Sequence, residues 1–163
     1  MSVAVCPGSF DPITLGHINV IKRASRMFDR VIVCIMVNAA KKNQMFTPQE
    51  RAELARRALA DIPNVEVDVS DALLAEYAKK FDRPVIVKGL RNSADFDYEY
   101  QIALVNNKLD AGLETLFIPA QPEYGYISST VVRELASYGA ELRGLVSEEL
   151  IADIEKKATQ WRR

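Results

Sequence analysis

The chain has 163 residues, of which 48% are apolar and 26% are charged, and its formal net charge is −1. This size fits a single domain over residues 1–163, and the balanced charge argues against a nucleic-acid partner bound through overall charge. No apolar run reaches membrane-spanning length, and no basic region followed by an apolar signal core opens the sequence. We therefore expect a cytoplasmic protein without membrane partners, in which Cys6 and Cys34 are reduced core thiols.

The first predicted strand–helix unit concentrates polar side chains in its connecting loop. Residues 3–6 form a short apolar run that predicts a buried strand, and apolar positions at helical spacing predict a helix over about residues 16–27. The loop between them carries two hydroxyls, a carboxylate and His17, which is the only histidine of the chain. A helix N-terminus beside small polar residues is a natural phosphate site. The alternative for a lone histidine at a helix start is a cap or a surface role.

Apolar runs and helical patterns then alternate along the rest of the chain. We predict further strands over residues 31–37, 65–69, 85–87 and 115–118, and helices over 48–59, 72–80, 95–109, 131–138 and from 147 onward. Thr47 and Asp71 are the expected N-caps of the second and third helices. This alternation predicts an α/β fold with a five-stranded, parallel, doubly wound, Rossmann-like sheet and right-handed crossovers.

Cationic side chains follow two of the predicted strands. Lys41 and Lys42 come after the second strand, and Lys88 and Arg91 flank Gly89 after the fourth. Open α/β sheets bind ligands at the carboxyl ends of their strands, so these cations are candidates for holding phosphate groups. For Lys41 and Lys42, a solvated lysine pair on a loop is the alternative.

Three features of the sequence leave alternatives open. Leu74 either lines a pocket or packs in the core. The predicted helix over 95–109 is apolar on two faces, so it is either deeply buried or faces a second subunit. On that helix, Glu99 is either an ordinary first-turn carboxylate or an acceptor for a ligand hydroxyl or amine. The hydroxyls over residues 128–130 either cap the next helix or form a second anion site.

Several motifs resemble those of a known family. The run G-S-F-D-P-I-T-L-G-H over 8–17 and I-S-S-T-V-V-R over 127–133 resemble the signatures of the T/H-x-G-H nucleotidylyltransferase superfamily. The runs K-G-L-R-N-S-A-D-F-D-Y-E-Y-Q-I-A-L-V-N-N over 88–107 and K-K-x-x-M-F-T-x-x-E-R over 41–51 are similar to the phosphopantetheine adenylyltransferase family of coenzyme A biosynthesis. The similarity covers nearly the whole chain.

This resemblance implies reversible transfer of the adenylyl group from ATP to 4′-phosphopantetheine, which gives dephospho-coenzyme A and pyrophosphate. His17 would contact the ATP phosphates and stabilise the transition state. The residues that would hold the phosphopantetheine are Ser9, Lys41, Leu74 and Lys88. The residues that would surround ATP are Ser9, Phe10, His17, Gly89, Leu90, Arg91, Glu99, Tyr124, Gly125, Tyr126, Ile127, Ser128, Ser129 and Thr130. The resemblance also implies Mg²⁺ delivered with ATP rather than by dedicated protein ligands, a homohexamer, and coenzyme A as a feedback inhibitor.

The chain departs from the family pattern at three points. Ser9 stands where threonine is common, which keeps the hydroxyl and loses a methyl group. Lys88 stands where many relatives have arginine, which keeps the charge and loses bidentate geometry. The loop after Lys42 is one residue longer than in some relatives, which leaves the choice between Lys41 and Lys42 open.

Two other functions compete with this interpretation. One is nucleotidyl transfer to nicotinamide or nicotinate mononucleotide, or cytidylyl transfer to a small alcohol phosphate. Members with those activities usually carry histidine at the position of Thr14. The other is a nucleotide-binding module that has lost catalysis and regulates a partner, against which the presence of His17, Lys41 and Arg91 argues.

Overall fold

The computed structural model describes residues 1–38 and 43–161, and Lys41 and Lys42 lie outside the described residues. The strands are β1 (Val3–Gly8), β2 (Arg30–Met36), β3 (Val65–Ser70), β4 (Val85–Leu90) and β5 (Glu114–Pro119). The helices are α1 (Leu15–Ser25), α2 (Pro48–Ala58), α3 (Leu74–Ala78), α4 (Ser93–Leu109), α5 (Ser129–Ser137) and α6 (Glu148–Trp161). A 3₁₀ turn, Pro122–Tyr124, lies between β5 and α5.

The strands form one parallel sheet in the order β3-β2-β1-β4-β5. Val5 of β1 is paired with Ile32 of β2 on one side and with Ile86 of β4 on the other. The prediction of a five-stranded, parallel, doubly wound sheet is therefore confirmed. The chain runs outward from β1 to β3 and then returns to the far side of β1 to form β4. The carboxyl ends of β1 and β4 thus flank the point where the strand order reverses.

Both faces of the sheet carry helices, but the two layers differ in depth. On one face, apolar side chains of α1, α2, α5 and α6 pack against strand residues such as Ala4, Val33 and Ile35 in a large buried cluster. On the other face, α3 packs in a smaller cluster with strand residues such as Val5 and Ile86. The cysteines Cys6 and Cys34 are free and buried, as predicted. Helix α4 contacts β4 and β5 on this second side.

The predicted helix boundaries are right at α2 and wrong at α3. Thr47 caps α2 as expected, since its side chain accepts from the backbone N–H of Glu50 while Glu50 accepts from that of Thr47. Helix α3 begins only at Leu74, and Asp71 does not cap it. The reason is that β3 extends to Ser70, whose hydroxyl accepts from the backbone N–H of Ala72 and holds this part of the chain in a turn.

Strand β4 is longer than the sequence predicts. It runs to Leu90, so Lys88 and Gly89 lie within the strand rather than in a loop after it. Gly89 pairs with Ile118 of β5, and it faces α1 so closely that an added Cβ would lie 2.8 Å from Cγ2 of Val20. This glycine therefore permits the end of β4 to approach α1, which brings the two halves of the cavity described below together.

Candidate active site

The carboxyl ends of β1 and β4 open into a cavity of about 1000 Å³. Ligands of open α/β sheets bind outside the strand ends at the point where the strand order reverses, and this cavity lies there. Its lining includes most of the residues expected from the sequence: Ser9, Phe10, His17, Leu74, Lys88, Gly89, Arg91, Glu99, Tyr124, Ile127, Ser128, Ser129 and Thr130.

His17 is held at the first turn of α1 by a reciprocal cap with Thr14. The backbone N–H of Thr14 donates to Nδ1 of His17 at 3.1 Å, and the Thr14 hydroxyl accepts from the backbone N–H of His17 at 3.4 Å. Because Nδ1 accepts a hydrogen bond from an amide, it carries no proton, and the neutral imidazole is protonated at Nε2. The cap thus leaves an Nε2–H donor available to a ligand in the cavity.

The surroundings of His17 favour this neutral form. The ring of Phe10 meets the imidazole edge to face, with centroids 5.0 Å apart. Burial, and after it the positive charges of Arg91 and Lys88, lower the pKa of His17 to about 4. At neutral pH the side chain is therefore a hydrogen-bond donor without a charge. Phe10 itself has a positive φ of 46°, an uncommon backbone conformation of the kind that is often found at functional sites.

Cys6 also lines the cavity, but its thiol is unsuited to nucleophilic chemistry. Burial raises the pKa of Cys6 to about 12, although the positive charge of Lys88 acts in the opposite direction. A thiol with so high a pKa stays protonated at neutral pH, and only the thiolate is a good nucleophile. The structure therefore does not support covalent catalysis by Cys6.

Lys88 and Glu99 form an ion pair across the β4 side of the cavity. Their charged groups are 3.0 Å apart, with exposed side-chain fractions of 21% and 17%. The Lys88 ammonium also donates to the carbonyl of Pro7 at 3.4 Å, which links the ends of β4 and β1. The first-turn alternative for Glu99 is wrong, because α4 begins at Ser93 and Glu99 lies in its second turn. Its role as an acceptor for a ligand stays a prediction.

Arg91 is oriented by Asp95, four residues later on α4. Nε and Nη2 of Arg91 donate to the two carboxylate oxygens of Asp95 at 2.9 and 3.1 Å, and Nη1 donates to the carbonyl of Ile127 at 3.3 Å. Burial alone would raise the pKa of the Asp95 carboxyl, but the side-chain and backbone hydrogen bonds from Arg91 hold it below its ordinary value. The guanidinium is thus fixed between α4 and the chain that precedes α5.

The N-terminus of α5 borders the cavity, with its hydroxyls already in use. Ser128 is the N-cap, and its hydroxyl accepts from the backbone N–H of Val131 at 3.1 Å. The hydroxyl of Ser129 donates to the carbonyl of Pro12 at 2.8 Å and so ties α5 to the loop that carries His17. The capping alternative is therefore confirmed for Ser128, and the anion site at this helix end, which borders the cavity, stays a prediction.

Comparison with known proteins gives consistent results. Residues 5–135 match the family described as Cytidylyltransferase-like. A phosphopantetheine adenylyltransferase of Caldanaerobacter subterraneus subsp. tengcongensis is 49% identical, over 96% of this chain and 99% of the relative. One of Clostridium tetani is 48% identical, over 97% of this chain and 98% of the relative. The chain belongs to the phosphopantetheine adenylyltransferase family.

The fold of this family member extends to more distant proteins. A crystal structure of a putative nicotinate-nucleotide adenylyltransferase from Vibrio parahaemolyticus superposes with a TM-score of 0.73, over all of this chain and 97% of that one. Its sequence identity is 18%, so this similarity concerns the fold alone. Among the described residues, every helix is too short or too polar to span a membrane.

Not all residues assigned from the adenylyltransferase resemblance line the cavity. Leu90, Gly125 and Tyr126 are absent from its lining, and the side chain of Tyr126 is 67% exposed. The carbonyl of Leu90, at the carboxyl end of β4, accepts a hydrogen bond from the N–H of Ala120. Lys41 cannot be placed because it lies outside the described residues.

Sequence reasoning assigned no binding or catalytic role to other residues of the cavity lining. They are Asp11, Thr14, Gln44, Asp95, Tyr98 and Arg133, among others. Asp11 and Thr14 lie inside the first motif, and Asp95 lies inside the 88–107 run four residues after Arg91, so position within the motifs offers a signal for these three. Gln44 reaches the cavity through a long connection after β2, which leaves no periodic signal in the sequence.

The carboxylates at the cavity do not form a metal centre. Over residues 1–38 and 43–161, no group of three or more His, Cys, Asp or Glu side chains is arranged to hold a metal ion. Asp95 and Glu99 are each engaged with a cation, and the third carboxylate, Asp11, accepts from backbone N–H groups. Each of the three carboxylates that line the cavity among the described residues thus already has a cationic or a backbone partner.

Proposed function

We propose that the cavity is where 4′-phosphopantetheine and ATP react reversibly to give dephospho-coenzyme A and pyrophosphate. An oxygen of the acceptor phosphate attacks the α-phosphorus of ATP, and the bond from that phosphorus to the bridging oxygen of the leaving pyrophosphate breaks. The observation that carries the proposal is the position of His17, whose Nε2–H donor shares one cavity with Lys88, Arg91 and the N-terminus of α5.

The reaction does not need a general base from the protein. The acceptor phosphate has a second pKa of about 6, so it is mostly ionised at neutral pH and already nucleophilic. What the site must supply is the approach of two anionic substrates and stabilisation of the charge that develops on the α-phosphoryl group. A fixed neutral donor and two oriented cations meet that need.

His17 is proposed to donate from Nε2 to an oxygen of the ATP phosphates. Its neutral state means that it gives up no proton and undergoes no change in charge during the reaction. The Thr14 cap and the edge contact with Phe10 hold the ring in place before the substrates arrive. Such a preorganised donor stabilises the transition state more than the ground state.

We assign the two substrates to two sets of residues, which meet where Lys88 pairs with Glu99. Ser9, Leu74, Lys88 and Lys41 are proposed to hold phosphopantetheine, and Leu74 supports this since it opens α3 at the cavity wall. Gly89, Arg91, Glu99 and the segment over 124–130 are proposed to surround ATP. Support comes from Arg91, which donates to the carbonyl of Ile127 and so links β4 to that segment. Of the ATP residues implied by the resemblance, Leu90, Gly125 and Tyr126 have the weakest support.

We propose that Mg²⁺ enters as part of the ATP substrate complex and keeps its water ligands. The engaged carboxylates at the cavity support this, because each already has a cationic or backbone partner. The homohexamer is likewise a proposal, supported by the exposed apolar side chains of α4. Inhibition by coenzyme A and a cytoplasmic location stay predictions from the sequence.

One assay tests the proposed function against its rivals. Pyrophosphate release is measured with ATP or CTP as donor and with 4′-phosphopantetheine, nicotinate mononucleotide, nicotinamide mononucleotide or a small alcohol phosphate as acceptor. We expect release only with ATP and 4′-phosphopantetheine, with dephospho-coenzyme A identified by mass. Release with another pair, or with none, would contradict the proposal, and the second outcome would favour a binding module without catalysis.

A further inference from the structure

Asp11 joins two segments that are distant in sequence. Its side chain is 2% exposed and lies in the loop between β1 and α1. One carboxylate oxygen accepts from the backbone N–H of Met45 at 2.9 Å, and the other accepts from that of Phe46 at 2.9 Å. This carboxylate thus binds two consecutive amides of the segment over 43–46, which returns from the cavity to α2.

Arg51 also links the loop after β1 to the 43–46 segment. This side chain on α2 is fully buried and does not line the cavity. Its Nη1 donates to the carbonyl of Ser9 at 2.9 Å, and its Nη2 donates to Oε1 of Gln44 at 3.1 Å. One guanidinium therefore holds the loop with Ser9 and the segment with Gln44 side by side. Burial lowers the pKa of Arg51, and the negative charge of Asp11 acts in the opposite direction.

Helix α5 is tied to the same loop without needing the Asp11 carboxylate. Nη1 of Arg133 donates to the backbone carbonyl of Asp11 at 2.6 Å, and the Ser129 hydroxyl donates to the carbonyl of Pro12 at 2.8 Å. Arg133 also lies 3.5 Å from a carboxylate oxygen of Asp11, but its hydrogen bond to the carbonyl does not depend on that charge. Loss of the carboxylate would therefore release the 43–46 segment while α5 keeps its attachments.

We propose that Asp11 is a positioning residue that sets the acceptor side of the cavity by holding the 43–46 segment against the His17 loop. The inference rests on the proposed function, which assigns ATP to the α5 side and phosphopantetheine to residues that include Ser9, after β1, and Leu74, at the start of α3. Asn43 and Gln44 of the held segment both line the cavity, so a shift of this segment changes the space that the acceptor enters. Only a carboxylate offers an acceptor to both amides, since an asparagine would turn its NH₂ group toward one of the two N–H donors.

The test is Asp11→Asn, with steady-state kinetics for each substrate and calorimetric titration of ATP. We expect the KM for 4′-phosphopantetheine to rise about tenfold or more, the ratio that loss of a hydrogen bond to a charged group produces, while the dissociation constant of ATP is unchanged. Asp29→Asn is the matched control, because the Asp29 carboxylate accepts from the backbone N–H and hydroxyl of Ser2 at the opposite end of the sheet. It should change neither constant.

A purely structural role for Asp11 would weaken the binding of both substrates together, and that result would overturn the inference. An unchanged KM for 4′-phosphopantetheine would overturn it as well. If Asp11→Asn does not fold, Arg51→Lys decides by the same criteria, since lysine keeps the charge but cannot reach both Ser9 and Gln44. An unmodified chain that makes no dephospho-coenzyme A would refute the proposed function instead, so the two failures are distinguishable.

Discussion

Helices α1 and α4 follow the two strands that meet at the cavity, and they hold their parts of it in different ways. Helix α1 buries an apolar stripe against the sheet, and its first turn closes on His17 through uncharged hydrogen bonds. Helix α4 buries only Asn106 among its residues, and it contributes Asp95 and Glu99, which pair with Arg91 and Lys88. We call the part of the cavity formed by α1 and His17 the fixed half, because its donor is neutral and held in place. We call the part formed by α4 and its ion pairs the charged half, and its helix buries few of its own residues.

The outer surface of α4 explains this thin packing. Large apolar side chains are exposed along α4: Tyr98 and Ile102 also line the cavity, and the others are Phe96, Tyr100, Leu104, Val105 and Leu109. Several exposed large apolar side chains on one helix are typical of an interface. Helix α1 thus orients its donor within a single chain, whereas α4 presents its ion pairs from a helix that would be covered only in the proposed homohexamer.

The largest expected effect comes from the fixed half. His17→Ala should lower kcat by about 10²–10³, or about 3–4 kcal/mol, because a single preorganised donor to the reacting phosphate is lost. Pyrophosphate release under saturating substrates measures it, and far-UV circular dichroism checks the fold. His17→Gln restores an amide donor of similar length and should recover part of the rate. A His17→Ala variant with near-normal turnover would remove the histidine from the mechanism.

The second prediction concerns the charge state of the same half. The pKa of His17 is lowered from its ordinary 6.5 to about 4, so the unfolded chain binds a proton at this residue where the folded chain does not. The free energy of unfolding should therefore fall as the pH drops from about 6.5 to about 4, by up to about 3 kcal/mol. Urea unfolding at several pH values measures this loss.

His17→Gln is the reference for that experiment, because His17 is the only histidine and the carboxylates titrate alike in both chains. The difference in free energy of unfolding between the two chains should be constant above pH 7. Below pH 7 the unmodified chain should lose stability relative to His17→Gln. Parallel curves down to pH 4 would mean that the imidazole is protonated as easily in the folded chain, contrary to the neutral donor described above.

The elements of the fold differ in how well the sequence predicts their boundaries. The alternation of apolar runs with helical patterns was enough for the sheet, and the capping box at Thr47 fixed the start of α2, because both depend on local spacing. At α3 the local signal misled, since the backbone N–H of Ala72 donates to the Ser70 hydroxyl and Asp71 lies in that turn, outside the helix. The end of β4 was also missed, because pairing with β5 carries the strand through Lys88 and Gly89 regardless of their polarity.

Within the site, the sequence predicted residue types better than their partners. His17, Lys88 and Arg91 stand out by chemistry and by position after a strand. Their partners depend on tertiary contacts: Lys88 meets Glu99 only because α4 lies beside the end of β4. The link from Asp11 to Met45 spans 34 residues, and no local pattern encodes it. Sequence thus identified the charged groups, and folding decided which of them became neutralised.

The third prediction tests the charged half. Lys88→Met removes a cation that is 3.0 Å from Glu99 and is proposed to hold the acceptor phosphate. We expect kcat/KM for 4′-phosphopantetheine to fall about tenfold, or by about 1–2 kcal/mol, and Lys88→Arg to retain most of it. Lys79→Met is the matched control, since Lys79 pairs with Glu76 at 2.6 Å on an exposed surface and should have no effect. Equal kinetics for Lys88→Met and the unmodified chain would argue that the ion pair is structural only.

The fourth prediction concerns an exposed residue of α4. Its substitution should change the stability of the single chain least, but it should change the mass of the assembly. Leu104 is 54% exposed, so Leu104→Glu should change the stability of an isolated chain by only about 0.5 kcal/mol or less. In an apolar interface the same carboxylate would be buried without a partner, so light scattering should show loss of the expected homohexamer. Met27→Glu, at a residue that is 53% exposed after α1, should leave the mass unchanged. If Leu104→Glu also keeps its mass, α4 does not need a second chain, and both halves of the cavity are then complete within one.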